Sequence, residues 1–278
     1  MRLSLRLHAC AAGQLLPLIP GTAPYPPLWP AHRSMDRPSP ALPPLPVGAS
    51  LHTADGVALL KVTGRVWLPA VAGQADPHAL CCALLTALTD LADFPGAAAT
   101  PDTPGSLISL EVRKQGRSLA WITLSDKGSQ GLREDLSGPA IAELVGASLP
   151  LCHSQGFLLP DEPGPLRALL TELALGQEYD LICTTGGTGL SPRDIAPQVT
   201  AALLDLPLPG FSQAMLAASL ARTPRAAISR AVAGVLGQSL VINLPGSRKA
   251  VLENLAAVLP ALPHALDKLH NDPADCGG

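Results

Sequence analysis

Aromatic residues are scarce in this 278-residue chain: three Trp, two Tyr and three Phe, 3% of the sequence. A core has to be assembled from Leu, Ala and Val, and a hydrophobic content of 47% supplies enough of them. Charge is scarce too. Charged residues make up 15%, the net charge is −3 and no basic block occurs, which argues against broad nucleic-acid binding. No apolar run is long enough to span a bilayer, so no membrane association is expected. The opening MRLSLRLHAC begins like a secretory leader, but Arg6 and His8 interrupt its apolar stretch and prolines follow at once. Six cysteines fall at 10, 81, 82, 152, 183 and 276 without a Cys-x-x-Cys pair, which excludes the usual zinc and thioredoxin spacings. Cys183 reads as a small buried apolar residue, and this cysteine usage suits a reducing cytoplasm.

Proline is abundant where order is expected to be low. Residues 1–50 hold 11 of the 30 prolines, and this section reads as disordered or extended. Met35 opens a second plausible start within it, so residues 1–34 are expected to lie outside the translated protein; a native peptide spanning Arg2 to Arg33 would refute this. Residues 51–105 read as a small α+β extension: one or two strands around Gly64, then a helix from Pro77 to just before Pro95. From Ser106 to about residue 272 the pattern becomes regular. A hairpin about Gln115-Gly116 is expected, its second strand running from Ser118 to Leu124. A helix capped by Ser137 follows, then a strand at 151–159, a helix over 165–175, a strand at 181–183, two further strand candidates at 226–235 and 239–244, and helices over 248–258 and 261–270. Strands alternating with amphipathic helices imply an α/β fold, a mainly parallel sheet covered on both faces, with ligands at the carboxyl ends of its strands.

The most informative stretch is YDLICTTGGTGLSPRDIAPQ, residues 179–198. An apolar run gives way to Thr184-Thr185-Gly186-Gly187-Thr188-Gly189, then Ser191-Pro192-Arg193-Asp194. Clustered glycines let the backbone turn tightly and bring bare N–H groups to a ligand, and Asp194 is placed to cap a helix starting near Ile195. Strand, glycine loop and helix start together favour an anion such as phosphate. A Gly-Lys-Ser/Thr is missing, so this is not a P-loop, and the spacing is not that of a dinucleotide fingerprint. A bare Gly-Gly-Thr-Gly is also an ordinary turn.

The whole string TTGGTG-x-x-PRD closely resembles the signature of the molybdopterin adenylyltransferases, the MogA/MoaB-like family. Further strings occur in the family's order: Ser125-Asp126-Lys127 with Glu134-Asp135-x-Ser137-Gly138-Pro139, Leu159-Pro160-Asp161-Glu162, Ala226-x-x-Ser229-Arg230, and Asn243-Leu244-Pro245-Gly246. The resemblance covers about residues 117–270. Lys127 stands where the family usually has Arg, keeping the charge but losing the planar fork.

The resemblance implies a three-layer α/β/α fold and a reaction that joins the terminal phosphate of molybdopterin to AMP from ATP, releasing pyrophosphate. It implies that Asp161 and Asp194 are the catalytic pair and engage Mg²⁺, and that Gly186, Gly187, Thr188 and Gly189, with Thr185, wrap an anionic group. Ser125, Asp126, Ser229 and Arg230 would line the pterin-phosphate side, and Asn243, Pro245 and Gly246 would close on the nucleotide. Relatives are often homotrimers, and a downstream molybdenum-insertion protein is an implied partner. The residues alone leave other readings open: Asp194 as a helix cap, Asp161 as a turn residue, Arg230 in a salt bridge, Arg193 solvated. Two other functions share the domain, a molybdenumtransferase and a non-catalytic molybdopterin carrier or scaffold.

Overall fold

The computed structural model describes residues 2–6, 10–20, 35–37, 45–68, 80–91 and 107–270. The chain divides into two compact units, Met1–Gln115 and Gly116–Gly278.

The first unit is built from strands: β1 (Arg2–Arg6), β2 (Leu15–Pro20), β3 (Met35–Arg37), β4 (Ser50–His52), β5 (Ala58–Leu68), β6 (Leu80–Ala87) and β7 (Leu107–Arg113). They form a closed barrel in the order β1-β3-β2-β6-β5-β4-β7, with β7 returning to pair with β1. Alternate residues point inward. Leu3 and Leu5, Leu16 and Leu18, Leu60 and Val62, and Leu85 and Ala87 share one buried core, the two-residue period of a strand with one dry face. Closure leaves every strand with two neighbours and removes the exposed edges of an open sheet.

Three expectations are corrected here. Among its described residues the proline-rich section contributes β1, β2 and β3: β1 alternates apolar and polar residues, and β2 is an apolar run that holds its pairing in spite of Pro17; residues 21–34 and 38–44 lie outside the described residues. Residues 2–6 and 15–20 place four leucines in the barrel core. The helix expected from Pro77 is, among its described residues, strand β6, held by β2 on one side and β5 on the other. A short continuous apolar run fits a buried strand as well as a helix, and here cross-strand pairing decides. The expected small α+β extension is, among its described residues, barrel strands and their connections.

The second unit begins with β8 (Arg117–Leu124), followed by α1 (Asp126–Ser129), α2 (Ser137–Gly146), β9 (Leu151–Leu159) and α3 (Pro163–Thr171), which runs on into a π-helical turn at Glu172–Gly176. Then come β10 (Leu181–Thr185), α4 (Ala196–Ala201), β11 (Leu206–Pro207), α5 (Pro209–Leu220) and a 3₁₀ turn at Pro224–Ile228. The unit ends with β12 (Ala233–Leu236), β13 (Ser239–Leu244), α6 (Arg248–Val258) and α7 (Leu262–Leu269). The expected hairpin at Gln115-Gly116 does not form. β7 pairs with β1 and β4 in the barrel, whereas β8 pairs with β9 and β10.

The sheet runs β11-β12-β13-β10-β8-β9. β13, β10, β8 and β9 are mutually parallel, and β12 and β11 add an antiparallel margin. The mainly parallel sheet is thus a property of the second unit, while the barrel is mainly antiparallel. β10 lies between β13 and β8 and is buried along its whole length. On one face Leu119, Cys183 and Ile242 pack with Ile141 of α2, Met215 of α5, Val251 of α6 and Leu266 of α7. On the other, Asn243 of β13 reaches Thr200 of α4, which packs with α3. Helices on both faces make the three layers, and the loops after β8, β9, β10 and β13 converge at one edge of the sheet. Among the described residues no helix is long and apolar enough to cross a membrane.

Candidate active site

The glycine loop leaves β10 stitched to the loop after β13. Thr185 Oγ1 donates to the Pro245 carbonyl (2.7 Å), and the Gly186 N–H donates to the Leu244 carbonyl (3.1 Å). Gly186 has φ +100°, and a Cβ there would stand 2.5 Å from the Leu124 carbonyl oxygen, so the backbone of β8 leaves no room for a side chain.

Arg230 fixes the outside of this loop. Its backbone N–H donates to Thr188 O (3.0 Å), its Nε to Gly189 O (2.7 Å) and its Nη2 to Asp194 O (2.7 Å). The Gly187 carbonyl accepts from the Ala196 N–H at the start of α4 (3.1 Å). The carbonyls of Gly187, Thr188 and Gly189 are therefore occupied. Among the described residues, the N–H groups of Gly187, Thr188 and Gly189 have no partner in the protein. Three unpaired donors backed by a helix start favour an anion. The Gly186 N–H, expected to join them, belongs to the fold.

Two carboxylates flank this loop. Asp161 follows β9, and its Oδ2 accepts from the Asp126 N–H (3.1 Å) while Asp126 Oδ1 accepts from the Asp161 N–H (3.0 Å). Asp194 Oδ2 accepts from the Ser191 N–H (2.7 Å). It does not cap α4 as expected: Ile195 holds that place without a side-chain bond. Among the described residues, each carboxylate thus keeps Oδ1 without a protein partner. Burial, and then the charges of Asp126 and Asp194, push the Asp161 carboxyl above the ordinary carboxylate range. Asp126 is held below that range, chiefly by Arg193, whose Nη2 lies 2.5 Å from both of its oxygens. Arg193 is therefore paired with a carboxylate while remaining exposed to solvent.

A cleft of about 440 Å³ opens at this edge of the sheet. It is lined by Ser125, Asp161, Thr185, Gly186, Gly187, Asp194 and Gly246 of the expected residues. Ser125 Oγ also caps α1 by accepting from the Gly128 N–H (3.1 Å). Thr188, Gly189, Ser229 and Pro245 line a second cleft of about 390 Å³, between α5, the 3₁₀ turn and α6. The residues expected together on the pterin side are thus divided between two clefts. Ser125 lines the first, with Asp126 bonded to Asp161 beside it. Ser229 lines the second. Asn243 lines neither. It is fully buried, with Nδ2 donating to Thr184 Oγ1 (2.8 Å) and Thr200 Oγ1 (2.9 Å), and its place is inside the fold.

Arg133 and Arg248, which the sequence does not single out, also line the first cleft, as does Asp135, noted above only within a family string. Asp135 Oδ1 accepts from the N–H groups of Ser137 (3.0 Å) and Gly138 (2.9 Å), and Thr123 Oγ1 donates to its Oδ2 (2.6 Å). Asp135 rather than Ser137 therefore satisfies the start of α2, and an acidic residue two positions before a helix was the available signal. Ser137 Oγ is instead free to donate to Gly246 O (3.0 Å), joining the loops after β8 and β13.

Among the described residues no group of three or more His, Cys, Asp or Glu is placed to hold a metal ion. Mg²⁺ commonly takes only one or two protein carboxylates and keeps oxygens of water and phosphate as its other ligands. The free Oδ1 atoms of Asp161 and Asp194, in a site where negative charge already raises one carboxyl, fit that kind of ion.

A parallel α/β sheet, a glycine loop with bare amides and two half-satisfied carboxylates define an anion-handling α/β protein. Residues 120–264 match the family described as "Probable molybdopterin binding domain", and the chain belongs to this MogA/MoaB-like molybdopterin-binding family. It is 40% identical over 148 residues to the molybdopterin adenylyltransferase of Helicobacter pylori strain 26695, covering 52% of this chain and 84% of that protein. It is 40% identical over 161 residues to gephyrin of Dictyostelium discoideum, covering 55% of this chain but spanning only 22% of gephyrin's length. Among solved structures, the molybdopterin biosynthesis enzyme MoaB of Thermus thermophilus is 42% identical with a TM-score of 0.51, over 58% of this chain and 99% of MoaB.

Proposed function

We propose that this protein adenylylates molybdopterin. A phosphate oxygen of molybdopterin attacks the α-phosphorus of ATP, the bond to the β-phosphate breaks, and adenylyl-molybdopterin and pyrophosphate leave. One observation carries this reading: the free oxygens of Asp161 and Asp194 share a cleft with Gly187, the first of the glycine loop's unpaired N–H groups, while Thr188 and Gly189 of the same loop line the second cleft. Both substrates are anions, so the protein's task is to hold them together against repulsion and stabilise charge on the transferring phosphorus.

The residues have separable roles. The N–H groups of Gly187, Thr188 and Gly189 bind phosphate oxygens. Asp161 and Asp194 hold Mg²⁺, which would supply the positive charge that offsets the phosphates. Arg230 is a positioning residue that keeps the loop's N–H groups turned toward the ligand. The second cleft, next to the same loop, gives the other substrate a place beside the first. The relative named molybdopterin adenylyltransferase supports this reading. A downstream molybdenum-insertion protein is proposed as partner on the family resemblance alone. A homotrimer in the cytoplasm is proposed with it, and sedimentation would give the stoichiometry.

The test is mass-spectrometric detection of adenylyl-molybdopterin from purified protein, molybdopterin, ATP and Mg²⁺. Molybdopterin-dependent pyrophosphate release is expected. Asp194→Asn is expected to abolish transfer while sparing molybdopterin binding. Unchanged turnover in that variant would refute the site, and tight molybdopterin binding without product in the wild type would favour a carrier.

A further inference from the structure

The cations expected near the phosphates are engaged elsewhere. Lys127 is exposed on α1 and does not line the first cleft. Arg193 is held by Asp126, and Arg230 by two loop carbonyls. Yet the cleft presents Glu134, Asp135, Asp161 and Asp194, a surface that would repel a nucleotide triphosphate. The glycine-loop amides and one divalent ion leave part of that repulsion unanswered.

Two arginines outside the family strings quoted above stand in this cleft. Arg133 lies in the loop between α1 and α2, and Arg248 is the first residue of α6. Among the described residues neither has an ion-pair or hydrogen-bond partner for its guanidinium. The Ser137–Gly246 hydrogen bond draws together the segments that carry them. Asp161 follows β9, the strand at the far margin of the sheet. The cleft is divided, because Asp161 and Asp194 precede α3 and α4, which pack together, and the two free guanidinium groups stand where α2 and α6, also packed together, begin. Asp135, two residues from Arg133, turns its oxygens to three other hydrogen bonds and forms no ion pair with it.

We propose that Arg133 and Arg248 bind the β- and γ-phosphates of the nucleotide, and the pyrophosphate derived from them, and so make this site select a triphosphate. The assignment rests on the adenylyl-transfer reading above. Guanidinium forks bind phosphate oxygens in pairs and are not deprotonated at any working pH. An extended polyphosphate then runs from the carboxylate-bound ion to the arginines, with its α-phosphorus left at the glycine loop. Both side chains are exposed and unpartnered, so replacing them leaves folding intact.

The experiment is calorimetric titration of the full chain with ATP, AMP and inorganic pyrophosphate in the presence of Mg²⁺. For Arg133→Ala/Arg248→Ala, ATP and pyrophosphate are expected to bind about tenfold more weakly or worse, with AMP changed less than about twofold. The Lys double variant should recover part of the loss, and each variant should melt as the wild type does. A double variant that weakens ATP no more than AMP would overturn the assignment, even where the wild type transfers AMP. A wild type that binds no ATP would overturn both the assignment and the function it rests on.

Discussion

Gly186 carries two constraints at once, a positive φ and a neighbouring carbonyl that a Cβ would meet at 2.5 Å. Gly186→Ala is expected to cost about 1–3 kcal/mol, seen as a lower melting temperature, and to impair phosphate binding by moving the loop. Asp161 presents the opposite balance. Its carboxyl is raised by burial first and then by neighbouring negative charge. The native state therefore holds this proton more tightly than the unfolded chain does. The group favours folding below the ordinary carboxylate range, and that contribution is lost as pH rises through the raised value. Asp161→Asn should accordingly raise the melting temperature near pH 7 and give no gain at about pH 3. Mg²⁺ should stabilise the wild type more than this variant, which scanning calorimetry would show. Equal stabilisation by Mg²⁺ would place the ion elsewhere.

At the scale of the element, β13 shows how one residue type can belong to either a site or a core. Asn243 ends a strand in a loop string shared with the family, yet its side chain points to the face covered by α4. There it bridges Thr184 and Thr200 with no solvent to replace it. Asn243→Ala is expected to lower stability by about 2–3 kcal/mol, because buried polar groups lose their partner. Urea melts measure this, and transfer activity per folded molecule should survive. A selective loss of ATP affinity at full stability would return Asn243 to the site. Helix α2 makes a related point. Asp135 satisfies its first N–H groups, which frees the Ser137 hydroxyl to tie the first loop to Gly246.

For the whole molecule, the residues of both clefts and the core beneath them all lie in the second unit. Residues 116–270 alone should therefore fold and transfer AMP at a rate within a few-fold of the full chain, as circular dichroism and the product assay would show. The barrel requires its first strands. Deleting residues 1–34 removes β1 and β2 and, with them, Leu3, Leu5, Leu16 and Leu18 from its core. Each buried leucine side chain contributes about 1.5–3 kcal/mol, so the shortened barrel should unfold and be cut by protease within the first 115 residues. The second unit should persist as a resistant fragment.

What the sequence by itself determined was the glycine loop after a buried strand, the acidic residues on either side of it, and the alternation of strands and helices from Ser118 onward. Those features are local. A glycine cluster has few conformational substitutes, and a 3.6-residue apolar period in a helix is visible without neighbours. The barrel was hidden because its strands are apolar runs whose identity depends on distant partners. β6 looks helical until β2 and β5 flank it. The tertiary structure alone decided which donors remain free. Whether a guanidinium meets a phosphate, a carboxylate or a carbonyl depends on what the fold brings within about 3 Å of it. Arg193 and Arg230, conspicuous in the sequence, are bound within the protein. Arg133 and Arg248, inconspicuous there, face the cleft.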